Sequence, residues 1–285
     1  MPFYTTVERA MLEHTFLKQV YVPTFPLYLA LFDAGSNELA GQPGYARVVT
    51  WPADWGLVIG GQMTNEQVYH FPEATGDWTQ AVNGFGFYDS NNDLFSMDIL
   101  DTPQTIVKGD IPTFVPGALT IHLADYQMSI DYGVPGHNAF SNYLKEKWLK
   151  HLFGIEPYTP PDIWVGLCLS DPGDYLTNTN CDEVLGNGTG YSRTYVDPMD
   201  WTVLMAEAWN NAKITFDEAT VLWGTVKHFA LFDTYSPLYA GNALFHGPVE
   251  PWKIVIAGSI PSFDITIPVA GTGNYSTLGI GFAIL

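Results

Sequence analysis

Charge is what this sequence has least of. Of 285 residues only 14% are Asp, Glu, Lys or Arg, against about 25% in an average soluble domain. Bases are the scarcest: 11 Lys and Arg stand against 30 acids, a formal net charge of −19. Such a surface repels phosphate backbones, which argues against nucleic-acid binding. Cysteine is nearly absent too. Cys168 and Cys181 are the only two, too few for a disulfide framework in a chain this long. Both lie in the second half, so the fold does not depend on them; a bond between them is the minor alternative to two free thiols. No apolar run approaches the ~20 residues that span a bilayer. The first residues, MPFYTTVERAML, lack a basic stretch followed by an apolar one, so neither a secretory signal nor membrane insertion is expected.

Catalytic signatures are missing as well. There is no Gly-x-Ser-x-Gly elbow, no His-Glu-x-x-His and no Gly-Lys-Ser/Thr phosphate loop. None of the seven histidines pairs at helix or strand ligand spacing. Gly186-x-Gly188-x-Gly190 leads into a strand-like segment, so it reads as a loop and not a phosphate cradle. Asp89-x-Asn91-x-Asp93 opens like a calcium loop, but Leu94 and Leu100 stand where the glycine and the closing acid belong. A hairpin turn is the better reading. With 30 acids, chance carboxylate pairs abound, and no pattern singles out two for glycoside hydrolysis. No catalytic residue, no cofactor and no metal site is expected, and the chain does not read as an enzyme.

What is present is apolar and aromatic. Hydrophobic residues make up 47% and aromatics 15%, ample to bury a core and too much for a disordered chain. So little charge suits a subunit enclosed by neighbours. The three bases Lys145, Lys147 and Lys150 cluster, as a solvated helix face or a small basic patch.

The strongest signal is self-similarity at a spacing of about 145 residues. Gly44-Tyr45-Ala46-Arg47 recurs as Gly190-Tyr191-Ser192-Arg193. Phe71-Pro72-Glu73-Ala74-Thr75 recurs as Phe216-Asp217-Glu218-Ala219-Thr220, and Trp78 as Trp223. Phe85-Gly86-Phe87-Tyr88-Asp89 recurs as Phe229-Ala230-Leu231-Phe232-Asp233, and Gly109 to Phe114 as Gly258 to Phe263. A period this long makes each copy a whole domain. The division expected is 1–130 and 131–285, with the linker inside ADYQMSIDYGVPGHNAF (124–140).

Each copy opens with a helical stretch. Thr5 and Glu8 have capping-box spacing in the first. Phe140, Leu144, Trp148 and Leu152 form one apolar stripe in the second, where Glu146 and Lys150 are also i,i+4. Short strand-like segments follow without intervening helices: PLYLALFD (26–33) and DIWVGLCLS (162–170), ARVVTW and SRTYV, QVYHF and AKITF, GFGFYD and HFALFD, then ALTIHL and SFDITIPV. The pattern predicts a mainly β chain of two tandem antiparallel, jelly-roll-like sandwiches, each preceded by a short helix.

In a charge-poor chain, the repeated charges are informative. Arg47 and Arg193 match, as do Asp89 and Asp233, and they suggest an internal ion pair or turn brace in each copy, with surface contact as the alternative. Trp78 and Trp223 read as core or edge anchors. These six residues are the structural repeat anchors. Cys168 reads as a small buried hydrophobe.

From 141 to 269 the second copy resembles a family of small structural proteins found in tailed-phage genomes. The resemblance rests on SNYLKEKWLKHLFG (141–154), YTPPDIWVGLCLSDPGD (158–174), Gly190 to Arg193, ITF (214–216) and WGTVKHFALFD (223–233). The first copy resembles it more loosely: it lacks YTPP, has TQAVNGFGFYD in the last place, and carries an insertion near Trp51–Gln62. The resemblance implies a non-enzymatic virion component (tail fibre, baseplate or collar adaptor, or capsid decoration), made in the bacterial host cytoplasm. Its partners would be other virion proteins and copies of itself. Two alternatives stand beside it: an adhesin for host-surface glycan or protein, using loops such as Asn178–Gly190 or Gly271–Tyr275, and a polysaccharide-degrading tail enzyme.

Overall fold

The computed structural model describes residues 3–123, 139–174, 182–184, 186, 188–204, 207–236, 241–264 and 281–284. The described residues are mainly β, with two α-helices and several antiparallel sheets. The first repeat forms α1 (Thr5–Leu17), β1 (Leu27–Phe32), β2 (Val48–Thr50), β3 (Gln62–Thr64), β4 (Tyr69–His70), β5 (Val82–Tyr88), β6 (Leu94–Gln104), β7 (Thr113–Phe114) and β8 (Thr120–His122). The second forms β9 (Ala139–Phe140), α2 (Asn142–Leu152), β10 (Ile163–Cys168), β11 (Thr194–Val196), β12 (Trp201–Leu204), β13 (Glu207–Asn210), β14 (Ile214–Thr215), β15 (Gly224–Phe232), β16 (Ala243–Val255), β17 (Pro261–Asp264) and β18 (Gly281–Ile284).

The main sheets follow one plan. Strand order is β2-β1-β5-β6 in the first repeat and β11-β10-β15-β16-β9 in the second. The register repeats with it: Tyr28 faces Tyr88 and Leu31 faces Phe85, as Trp164 faces Phe232 and Leu167 faces Phe229. β1 and β10 are near-continuous apolar runs because both are central strands, and five of six residues in each are fully buried. Small sheets make the second layer, β3-β8 and β4-β7 in one repeat, β12-β13 and β14-β17-β18 in the other. Aromatic side chains join the layers. Phe85 meets Phe114 at 5.4 Å, and Phe229 meets Phe263 at 5.6 Å, all four at equivalent places. Burying a Phe contributes about 1.5–3 kcal/mol, so this aromatic seam is a main source of stability.

Packing divides the chain into two compact units, and neither is a contiguous half of the sequence. One takes Met1–Val7, Val22–Ala124 and Glu146–Tyr158; the other takes Glu8–Tyr21, Asp125–Lys145 and Thr159–Leu285. Most of the expected linker, 124–138, lies outside the described residues.

Four local expectations change. Phe140 is not on the helix but in β9, because Ser141 caps α2: its hydroxyl accepts from the Leu144 amide at 3.2 Å, and the residue ahead of a cap is extended. Leu144, Trp148 and Leu152 are buried as one stripe. The lysines form neither a solvated face nor a free patch. Lys145 is buried with Asp174 3.5 Å away, and Lys147 and Lys150 both bond Glu156. The long strands β6 and β16 were hidden by Pro103, Pro248 and Pro251, which a central strand rarely tolerates. Pro248 is accommodated by a break in register beside His228. Finally, the first copy has no insertion at 51–62. Pro52–Asp54 and Pro198–Asp200 are equivalent 3-10 turns, each followed by a buried tryptophan, Trp55 or Trp201.

Candidate functional site

The repeated arginines are closed by glutamates. Arg47 Nε and Nη2 donate to the two carboxylate oxygens of Glu38, at 2.7 and 2.6 Å. Arg193 does the same to Glu183, at 2.9 and 2.7 Å. Each guanidinium also lies over a ring of the main sheet, Tyr88 at 3.5 Å or Phe232 at 3.4 Å. A tyrosine completes each group. The hydroxyl of Tyr45 donates to Glu38 and that of Tyr191 to Glu183, while the same oxygens accept from the Leu31 and Leu167 amides. Bidentate, charge-assisted bonds of this kind are strong and fix geometry. Burial pushes the Glu38 carboxyl up, but bonds from Arg47 and Tyr45 outweigh it and hold the group below its usual range. Tyr45 and Tyr191 are pushed up, first by burial and then by their glutamate partners. The two sites differ in exposure: the Arg193 side chain is wholly buried, whereas 23% of Arg47 meets solvent.

Asp89 and Asp233 do not face the arginines; each braces a turn. Asp89 accepts from the Asn91 and Asp93 amides, both at 2.9 Å, and from the Thr24 hydroxyl at 2.6 Å. Asp233 accepts from the Asn242 amide at 2.6 Å and its side-chain nitrogen at 2.8 Å. So 89–93 is a hairpin turn, with Asn92 in the left-handed region at φ 68°. Trp78 and Trp223 are buried, their indoles donating to the carbonyls of Pro43 and Thr189 and packing edge-on to Tyr45 and Tyr191.

Sequence reasoning passed over three features. Glu38 and Glu183 were missed although Glu-Leu-Ala-Gly (38–41) and Glu-Val-Leu-Gly (183–186) keep the repeat spacing. Asn65 and Asn210 are buried equivalents, each donating to two backbone carbonyls. The third belongs to the second repeat alone. His228 and His246 are buried on β15 and β16, and both face Asp171, at 3.9 and 3.7 Å. His246 Nε2 lies 3.2 Å from Asp174, which Lys145 also approaches. Both ring nitrogens of His228 are buried without a hydrogen-bond partner. Burial pulls its pKa down, with Asp171 offsetting part of this. Asp174 is held low, chiefly by its bond with His246. Among the described residues no group of three ligand-type side chains is placed to hold a metal ion. Cys168 is buried; Cys181 lies outside the described residues.

Several large apolar side chains face outward. Along β16 and just past it, Trp252, Ile254 and Ile256 alternate on one face and are 61, 62 and 58% exposed. Lys227 Nζ sits 4.8 Å over the Trp252 ring. In the first repeat Leu57, Ile59 and Ile99 are also strongly exposed. Much of 178–190 and all of 271–275, the loops named for an adhesin, lie outside the described residues.

One protein family, described as podophage GP4 fiber I protein gp80, matches residues 2–122 and again residues 139–267. No curated protein matches the chain.

Proposed function

The chain belongs to the podophage GP4 fiber I protein family, as two tandem copies, and from that premise we propose that it is a non-enzymatic virion component that works by holding other virion proteins. The family makes it a phage structural protein of the tail-fibre class. The observation that supports the finer reading is the stripe Trp252-Ile254-Ile256. Three large apolar side chains on one strand face are costly to leave in water, and interface cores are enriched in such residues. A stripe of this kind fits a flat protein surface better than it fits a sugar. The Arg193 group, the Asp233 turn and the buried Trp223 would then hold the sheet behind that stripe rigid, as Arg47, Asp89 and Trp78 do for the sheet of the first repeat.

The test is a phage carrying Trp252→Ser and Ile254→Ser. Purified particles should contain at least tenfold less of this chain relative to capsid protein, by quantitative mass spectrometry, while the isolated variant keeps its circular dichroism. Full incorporation of the variant would overturn the interface. Release of reducing sugar from host polysaccharide by the purified chain would overturn the non-enzymatic reading.

A further inference from the structure

We propose that the two repeats trade their N-terminal helices, so that Trp55 and Trp201 are acceptor positions for the helix end of the other repeat. The partner chemistry is specific: an amphipathic helix that finishes in His-x-Phe.

Each helix starts on its own repeat. Phe3 bridges Ser96, the Tyr4 amide donates to the Phe95 carbonyl, and Phe3 packs edge-on to Phe95. The second repeat copies this. Phe140 pairs with Phe245 in β16, and the Ser141 amide donates to the Leu244 carbonyl. Allegiance then changes within a turn. Glu8–Tyr21 belongs to the compact unit built on the second repeat, and Glu146–Tyr158 to the one built on the first.

The ends are anchored alike. Phe16 packs against Trp201 at 4.8 Å, and Phe153 packs against Trp55 at 4.9 Å. Phe153 also meets Phe87 and Phe95. All of these rings are buried except at their margins. The preceding histidines serve the same turn. His14 Nδ1 lies 3.3 Å from the Tyr21 amide, and His151 Nδ1 accepts from the Tyr158 amide at 3.1 Å. Polar contacts add to each docking: Lys18 pairs with Asp162, and Glu146 accepts from the Gly60 amide at 2.8 Å. Gly154 fits only because it lacks a side chain, since a Cβ there would lie 2.5 Å from the Phe25 ring.

Two equivalent helices making equivalent exchanges is the pattern of element swapping, here closed inside one chain. The covalent link holds donor and acceptor at high effective concentration, which favours the internal exchange over one between chains. The exchange is a matter of how the chain is built and does not depend on a role in the virion.

Lys18 and Asp162 are both exposed, and a zero-length carbodiimide joins an amine to a carboxylate only in direct contact. The native full chain is treated, the monomer band is cut from a denaturing gel, and peptides are sequenced by mass spectrometry. A peptide joining Lys18 to Asp162 in the monomer band is the expected result, lost in Asp162→Asn. Lys147 with Glu156, a contact internal to one helix and its exit, is the positive control. If that control forms and the Lys18–Asp162 product is absent, the exchange is wrong. If the product appears only in a dimer band, the swap runs between chains, and its closure within one chain is overturned.

Discussion

The two repeats share the same internal braces and differ in what one of them adds. Both carry the Arg–Glu–Tyr group, the braced turn, the buried tryptophan and the buried asparagine at equivalent register positions. They part company in the second copy's histidines. His228 and His246 correspond in register to Gly84 and Met97. A Cβ on Gly84 would stand 2.6 Å from the Asp98 carbonyl, so the first repeat has no room for such a group. They part again at the apolar stripe. Taking Gly109 and Gly258 as matched, Trp252, Ile254 and Ile256 correspond to Pro103, Thr105 and Val107. What is common to both copies keeps a sheet together; the histidine cluster and the apolar stripe set the second copy apart.

The sharpest challenge to that contrast is to remove each arginine. Arg193→Ala leaves Glu183 buried and unpaired, a loss of about 3–5 kcal/mol. Arg47→Ala exposes Glu38 to water and should cost about 1–3 kcal/mol. Urea unfolding followed by tryptophan fluorescence measures both, and equal losses would show that burial does not separate the two sites.

Asn65→Ala and Asn210→Ala probe the common interior instead. Each strands two carbonyls, so each should cost about 1–3 kcal/mol, by the same measurement. A large difference between them would break the equivalence.

Acid should act on the second repeat selectively. His228 has a folded pKa below its ordinary 6.5, because burial disfavours its charged form. The unfolded chain therefore takes up the proton first, and stability falls as pH drops through that range. The groups facing the ring are Asp171, His246 and Lys227. Asp174 adds a second loss at lower pH, as its depressed carboxyl is finally protonated. His228→Gln should flatten the fall between neutral pH and pH 5 in urea titrations; an unchanged slope would acquit the histidine.

The smallest effect on stability is expected at the stripe. Trp252→Ser should shift unfolding by no more than about 0.5 kcal/mol, as for most exposed positions. A larger loss would mean that the indole packs within the fold rather than outside it.

The sequence repeat made the β class, the two copies and most central strands readable, because buried strands keep aromatic residues at matched spacing. It picked out Arg47 and Arg193 but not the acids that close them. Glu38 and Glu183 reach their arginines through isolated bridges to Phe32 and Cys168 across a loop, a pairing that strand alternation does not encode. Asp89 and Asp233 drew attention for the right spacing and turned out to brace turns, as short acids before a hairpin do. The helix ends were the least legible. His14-Thr15-Phe16 and His151-Leu152-Phe153 keep the same pattern, with a tyrosine seven residues after each histidine. A helical stripe, however, says only that one face is buried, not which sheet buries it.

The choice of sheet also decides how the chain is made. The end of α1 packs with residues of the second repeat, Trp201 among them. At about 5–20 residues per second, a ribosome delivers that tryptophan roughly 10–40 s after the helix has emerged. Through that interval Met11, Leu12 and Phe16, all buried in the finished protein, have nowhere of their own to go. The first half must wait, unfinished and sticky, for the second to be born.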